Sequence, residues 1–333
     1  MLTIRENLLE TIHGGNPDRF VDQFEFIPTI PGSHPINTRN TPVTMGGPMV
    51  QNLWGVWMAW KDGQLGPFPV HDKEHIILQD ISKWREIIKM PDLKSVKEEE
   101  WEAPAKASAA VNRKEVFACV GGPTGVWDQL HYFQGMVLAL ENMILEPGYT
   151  KEICEYLTEY ELMYAEQVCK YVKPDALFHH DDWGSQKSTF FSPEMYEQFF
   201  LPAYKQIYGY YKSHGVELVV HHADSYAATL VPFMIECQID IFQGCMEEND
   251  VPALVKKYGG KISFMGDINS GKLDRPDWET IKPQFRKEVE RAVRNNGKHY
   301  YIPCLTRGGG ASNYPGVYEL VSEEINKLSK EMF

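Results

Sequence analysis

Side chains able to bind a metal or move a proton gather at five places in the second half of the chain. His179-His180-Asp181-Asp182 runs into Trp183-Gly184-Ser185-Gln186, and His221-His222-Ala223-Asp224-Ser225 follows further on. Gln243-Gly244-Cys245, Gly266-Asp267-Ile268-Asn269 and Cys304-Leu305-Thr306-Arg307 complete the set, the last leading into three glycines. Neutral imidazole and ionised carboxylate both ligate Zn²⁺, and both exchange protons within reach of neutral pH. Ligands at i and i+2 on an extended strand end point to one side, so His222 and Asp224 form a candidate metal pair. A catalytic zinc takes three protein ligands and keeps one position open. Cys304 is the candidate third ligand, with Cys245 in reserve. Asp182, His180 and His221 are the candidate acid–base groups, although Asp181 or Asp182 could equally hold backbone amides. Trp54, Trp57, Trp127 and Trp183 offer flat apolar surface for a ring-binding pocket, with Trp60 and Phe68 nearby; Gln186 and Arg307 are polar candidates for holding the substrate.

The elements that must position these groups are short β-rich runs alternating with helical stretches. The runs fall at 24–28, 116–120, 176–178, 217–220, 239–242, 261–265 and 300–303. Helical patterns at 129–145, 149–171, 193–213, 226–236, 250–257, 278–294 and 315–330 separate the later ones. Such alternation implies parallel pairing through βαβ units. Seven strands, with an eighth expected within 70–115, predict a TIM (β/α)₈ barrel. The expected organisation is one barrel domain over 1–333 with a long loop or small hairpin inserted at about 31–70, a stretch rich in Pro, Gly and aromatics. In a parallel barrel the strand C-termini meet at one mouth, and every polar cluster named above follows a strand directly. No G-x-G-x-x-G follows the first strand and no P-loop occurs, which removes the main support for dinucleotide or nucleotide triphosphate binding.

Composition narrows the field further. The 333 residues are 43% hydrophobic and 24% charged, with a net charge of −13, and 10 of the 33 basic residues are arginines. That balance, without a Lys/Arg cluster, argues against nucleic acid, anionic membrane or a polyanionic substrate. No apolar run reaches transmembrane length, and the opening Met1-Leu2-Thr3-Ile4-Arg5-Glu6 has no apolar secretory core. Six cysteines without C-x-x-C spacing fit free thiols in a reducing cytoplasm.

Taken in order, these segments resemble the uroporphyrinogen decarboxylase superfamily, and the likeness spans almost the whole chain. Arg5-Glu6-Asn7-Leu8-Leu9 with Asn16-Pro17-Asp18-Arg19 is similar to the family's N-terminal signature, and Asn52-Leu53-Trp54-Gly55-Val56-Trp57 to its aromatic segment. Val120-Gly121-Gly122-Pro123-Thr124 resembles its second-strand turn, and Gly266-Asp267-Ile268-Asn269 the end of its next-to-last strand. Asp181-Asp182-Trp183-Gly184-Ser185-Gln186 with Ser192-Pro193-Glu194-Met195-Tyr196 is the most specific match. The resemblance implies a uroporphyrinogen decarboxylase-like barrel with its site at the strand C-termini.

Charge separates the branches of that superfamily. A porphyrinogen with eight carboxylates calls for an Arg-rich N-terminal loop, whereas the corresponding 30–39 stretch carries one Arg (Arg39) and one His (His34). The corrinoid-dependent methyltransferase branch resembles the chain better. Its members often bind zinc through His-x-Cys and a Cys on the last strand; here His222-Ala223-Asp224 replaces thiolate by a harder oxygen ligand, and Cys304 lies near the last position. The function this implies is O-demethylation, the first step of which moves a methyl group from a methoxylated, aromatic compound to a Co(I) corrinoid. The ether oxygen would be activated by zinc at His222, Asp224 and Cys304. The chain has no recognisable corrinoid module, so a partner protein must supply the corrinoid; a homodimer is compatible with this. Methyl transfer from a methylcorrinoid to a thiol of the coenzyme M type, and decarboxylation of a smaller acid, are the alternatives.

Overall fold

The computed structural model describes residues 1–64 and 66–333. Three short antiparallel strands come first: β1 (Val50–Gln51), β2 (Trp57–Ala59) and β3 (Phe68–Pro69), in the order β1-β2-β3. The inserted 31–70 stretch, apart from Leu65, which lies outside the described residues, thus carries a small sheet. Six parallel strands follow: β4 (Cys119–Thr124), β5 (Ala176–His180), β6 (Leu218–His222), β7 (Ile241–Cys245), β8 (Ser263–Ile268) and β9 (Tyr301–Leu305), neighbours in sequence order.

The expected strand at 24–28 is realised as an irregular strip along β4. Phe117 donates its N–H to the Phe26 carbonyl at 2.9 Å, Cys119 to Pro28 at 3.3 Å, and Ile30 back to Cys119 at 2.8 Å. Pro28 and Pro31 have no N–H to give, so a continuous ladder cannot form there. Across the seam, the Gln23 side chain accepts from the Leu305 N–H at 3.3 Å, tying β9 to the same strip. The eighth strand expected within 70–115 is absent among the described residues; short 3₁₀ turns and helices occupy that stretch. The parallel sheet, its helices and the closing strip make an α/β barrel of the TIM type.

Alternation along the strands sorts the core into two layers. Cys119, Ala176, Leu218, Val220, Ile241, Met265, Ile302 and Cys304 fill the barrel interior with Phe26 and Phe117. Leu177, Val219, Phe242, Phe264 and Tyr301 face outward into the helices. The long helix Pro147–Tyr171 packs against β4 and against the helix Leu201–Ser213. Their inner faces carry Glu161, Tyr204 and Tyr208, all buried.

Strand ends decide the site. β5 and β6 each run two residues beyond the expected limits, to His180 and His222, so the paired histidines lie on the strands and not in the loops after them. Register pairs His179 with His221 and His180 with His222. Neighbours on a strand face opposite sides, and this separates the four histidines two and two.

Candidate metal and active site

His180 and His222 turn into the barrel mouth, where Asp182 joins them. One ligand atom from each of the three residues can be chosen so that all lie within 4.8 Å of one another. His180 Nε2 stands 3.4 Å from Asp182 Oδ2 and 3.5 Å from Asp128 Oδ2. The His180 and His222 rings meet edge to face at 4.7 Å between centroids. His222 is buried and its Nδ1 is hydrogen-bonded to Gln243 Oε1 on β7. Because a carbonyl oxygen only accepts, Nδ1 carries the proton and Nε2 keeps its lone pair, the arrangement a metal-binding histidine needs.

Electrostatics divide the labour. Burial, reinforced by His180, holds the His222 imidazole down at about 4, so it is neutral. Packing around His180, half of whose side chain is still exposed, acts against its charge, but Asp182, Asp128 and Asp181 outweigh it and push the imidazole up to about 10, so a metal ion binding there must displace its proton. Burial raises the Asp182 carboxyl, yet hydrogen bonding and attraction to His180 leave it below its usual range. Asp182 also accepts the Asp224 N–H at 3.1 Å, which fixes the loop after β6. Burial pushes Asp128 up to about 7, with Asp182 adding to the rise and His180 opposing it.

Asp128 was not singled out from the sequence. It sits in the first turn of the helix Val126–Gln134, where its only local signal is an i,i+3 Asp-x-x-His pairing with His131, at 3.1 Å. The neighbouring Asp181 explains why that helix starts where it does. Its carboxylate accepts from the backbone N–H of Trp127 at 3.1 Å and of Asp128 at 2.7 Å, from Trp183 Nε1 at 2.8 Å, and from the Tyr204 hydroxyl. Both carboxylates expected to hold backbone amides do so, Asp181 at the helix start and Asp182 at the Asp224 N–H, and Asp182 also joins the mouth.

The structure does not bring the expected trio of His222, Asp224 and Cys304 together; the candidate ligand atoms that cluster are those of His180, Asp182 and His222. Asp224 lies on the far side of Asp182, in the wall of a larger cavity, and burial with the Asp182 charge pushes its carboxyl up to about 7. Cys304 belongs to the apolar interior plug, and burial raises its thiol well above the ordinary range. The reserve ligand Cys245 would face inward by alternation from Gln243. An irregularity at Gly244, whose φ is +84°, reverses it into the helix layer.

His221 is likewise placed behind the site. It stacks on Trp183 at 4.0 Å, and its Nδ1 lies 2.9 Å from the Tyr208 hydroxyl, which also meets His179 Nδ1 at 2.8 Å. His179 Nε2 in turn lies 3.0 Å from Glu161. All of these groups are buried, so His221 has no access to a substrate in the mouth.

Two cavities open at the mouth and share Gly184. The larger, about 590 Å³, is polar and is lined by Gln186, Asp224, Lys272, Thr306 and Arg307 among others. Arg307 is engaged there with Asp274 at 2.8 Å. The smaller, about 310 Å³, reaches Asp128, His180 and Asp182 at its inner end. Phe68, Tyr132, Met136 and Phe190 form its outer walls. The tryptophans expected to line a ring pocket are used elsewhere. Trp127 and Trp183 are fully buried; Trp54 packs on Phe133 and Tyr160, and Trp57 on His75. Gln186 and Arg307 do reach a mouth cavity.

Residues 56–305, three quarters of the chain, match the uroporphyrinogen decarboxylase (URO-D) family. The chain belongs to that family. No curated protein matches its sequence. Among solved structures, a methyltransferase from Methanosarcina mazei superposes with a TM-score of 0.62 at 13% identity, covering 98% of this chain and 99% of its own. At that identity the likeness is one of fold. No helix among the described residues is long and apolar enough to cross a membrane.

Proposed function

We propose that the protein is a methyltransferase that takes a methyl group from a methoxylated aromatic compound and delivers it to the Co(I) corrinoid of a partner protein. The observation that carries this reading is the cluster of His180, Asp182 and His222, of which His180 and Asp182 line an apolar-walled cavity of single-ring size. The donor set fits a zinc-class ion: two imidazoles and one carboxylate, one imidazole oriented by Gln243, with His180 and Asp182 facing the cavity. Bound there, such an ion supplies Lewis acidity to the ether oxygen, and the partner's corrinoid supplies the nucleophile.

The chain's own residues do the rest. The apolar walls seat the ring and exclude water, which strengthens every charge interaction at the inner end. When the methyl carbon leaves, the C–O electron pair stays on oxygen, which must then gain a proton. Asp128, a buried carboxyl that burial raises above its usual range and that lies 3.5 Å from His180, is placed to hold and give that proton. A methyltransferase sharing this fold supports the reading. The porphyrinogen alternative is disfavoured by the N-terminal loop: Arg39 is bound to Ser95 and Glu100, and His34 is buried against Tyr164.

The test is methyl transfer from a panel of methoxyarenes to a reduced corrinoid protein, followed by the cobalt absorbance change. Metal-dependent transfer is expected. Transfer that survives complete chelation would overturn the metal's part in the reading, and no transfer from any methoxyarene would overturn the reading itself.

A further inference from the structure

Large apolar side chains reach solvent in a narrow part of the surface. Among the described residues, and apart from the chain ends Met1 and Phe333, the exposed ones are Met45, Met49, Phe68, Ile87, Val137, Ile144 and Leu145. All but Ile87 belong to two segments. Met45, Met49 and Phe68 lie on the small sheet β1–β3 and the chain leading into it, where Met45 bridges to Trp60 and Phe68 pairs with Ala59. Val137, Ile144 and Leu145 lie on the helix Met136–Leu145, each 71–72% exposed. That helix buries Ala139, Asn142 and Met143 on its inner face, and Val137 and Ile144, seven residues apart, mark the outer face turned to solvent. Both segments also wall the smaller mouth cavity, the sheet through Phe68 and Pro69 and the helix through Met136. Neither contributes to the wall of the larger cavity. Exposed apolar surface gathered beside one cavity marks an interaction site.

We propose that this apolar surface, carried mainly by the outer face of the helix Met136–Leu145, is where the corrinoid-bearing partner protein docks. The proposal rests on the methyl-transfer reading above. A Co(I) corrinoid must come within bonding distance of a methyl group held in the smaller cavity, so the protein that carries it must sit against that cavity's rim. A stable protein contact covers about 800 Å² on each side, and it spreads from the rim onto whatever adjoins it. Here the adjoining surface is apolar on both sides. Charge favours such a partner over a second copy of this chain. Residues 44–75 and 136–148 carry Asp62, Asp72, Glu74, Glu141 and Glu146 against Lys61 and Lys73. Two copies of this face repel each other, whereas a partner with basic groups around an apolar centre is attracted.

The test is the double variant Val137→Glu with Ile144→Glu, both at solvent-facing positions. It is compared with the unsubstituted metal-loaded protein in Kd for the cobalamin-loaded corrinoid protein, in methyl transfer to that protein, and in methyl transfer to free cob(I)alamin, which needs no docked protein. Kd and KM for the corrinoid protein are expected to rise at least tenfold, with transfer to free cob(I)alamin unchanged within about twofold. Val137→Leu with Ile144→Leu keeps the surface apolar and should keep the unsubstituted Kd. An unchanged Kd in the glutamate variant, an equal loss in the leucine variant, or an equal loss of transfer to both acceptors would overturn the proposal. So would sedimentation showing a dimer of the unsubstituted protein that the glutamate variant splits, because a second copy would then occupy the face. Binding of the corrinoid protein that the glutamate variant weakens, with no methyl transfer to either acceptor, would leave the docking surface standing and count against the methyl-transfer reading alone.

Discussion

Two pairs of histidines on the same two strands have opposite fates. His180 and His222 stand at the mouth with Asp182, beside cavities open to ligand. His179 and His221, one residue earlier on each strand, are sealed in the helix layer and joined through the Tyr208 hydroxyl. The residue type is the same and the displacement along the chain is one residue. What separates them is the face of the pleat, together with what each face meets: ligand-accessible space on one side, tyrosines and Glu161 on the other. The inner pair is suited to chemistry. The outer pair fastens β5 and β6 to the helix Leu201–Ser213, and so holds the inner pair in place.

The largest expected effect falls on the inner pair. His222→Ala should remove the bound metal and lower methyl transfer by about 100-fold or more, because a three-ligand site loses one arm and its orienting Gln243 bond. Metal analysis and turnover of the purified variant check this. A variant that retains metal and activity would erase the distinction between the pairs. Asp128→Asn comes next: it keeps shape but cannot donate the same proton, and should lower kcat by about 10² while metal content stays at the wild-type level. A loss of metal there would move Asp128 from proton donor to ligand.

The outer pair should respond in stability and not in chemistry. Tyr208→Phe leaves Nδ1 of both His179 and His221 without its buried partner, at a cost of about 1–3 kcal/mol in unfolding free energy. Denaturant unfolding gives the number, and metal content should be unchanged. A fall in activity as large as that of His222→Ala would make the network part of the reaction.

The remaining effect is a slope of stability against pH. Burial holds His34 down at about 4, against 6.5 when exposed. As pH falls below 6.5 the unfolded chain takes up this proton first, so stability is present in full above 6.5 and declines toward pH 4. Each such histidine contributes up to about 1.4 kcal/mol per pH unit over that window. His34→Asn keeps a side-chain acceptor for the Ile36 N–H and should flatten the decline. A stability profile equally steep in the variant would place the acid sensitivity elsewhere.

Much of this arrangement could be read from residue order. The alternation of strands and helices leads to the barrel, and the rule that barrel sites lie at strand C-termini leads to the clusters at 179–182 and 221–224. The error lay in ending the strands two residues early. Placed in loops, all four histidines look equally available; placed on β5 and β6, alternation sends half of them outward. The reserve ligand Cys245 fails for a related reason, since the irregularity at Gly244 reverses its face and no pattern in the sequence announces it. Asp128 lies far upstream on a helix and reaches the mouth only because Asp181 caps that helix and fixes its start. The tryptophans misled because size and apolarity suit a core as well as a pocket: Trp127 and Trp183 went to the core, and Phe68 and Phe190 line the cavity.

The measurement that bears most directly on the central claim is titration of the metal-free protein with Co²⁺, followed by absorption. Ligation by two imidazoles and a carboxylate predicts visible bands of a low-coordinate cobalt ion without a thiolate-to-cobalt charge-transfer band. These bands should be abolished by His180→Ala or His222→Ala and left intact by Cys304→Ala. A charge-transfer band that disappears with Cys304→Ala, or binding indifferent to His180, would contradict the site described.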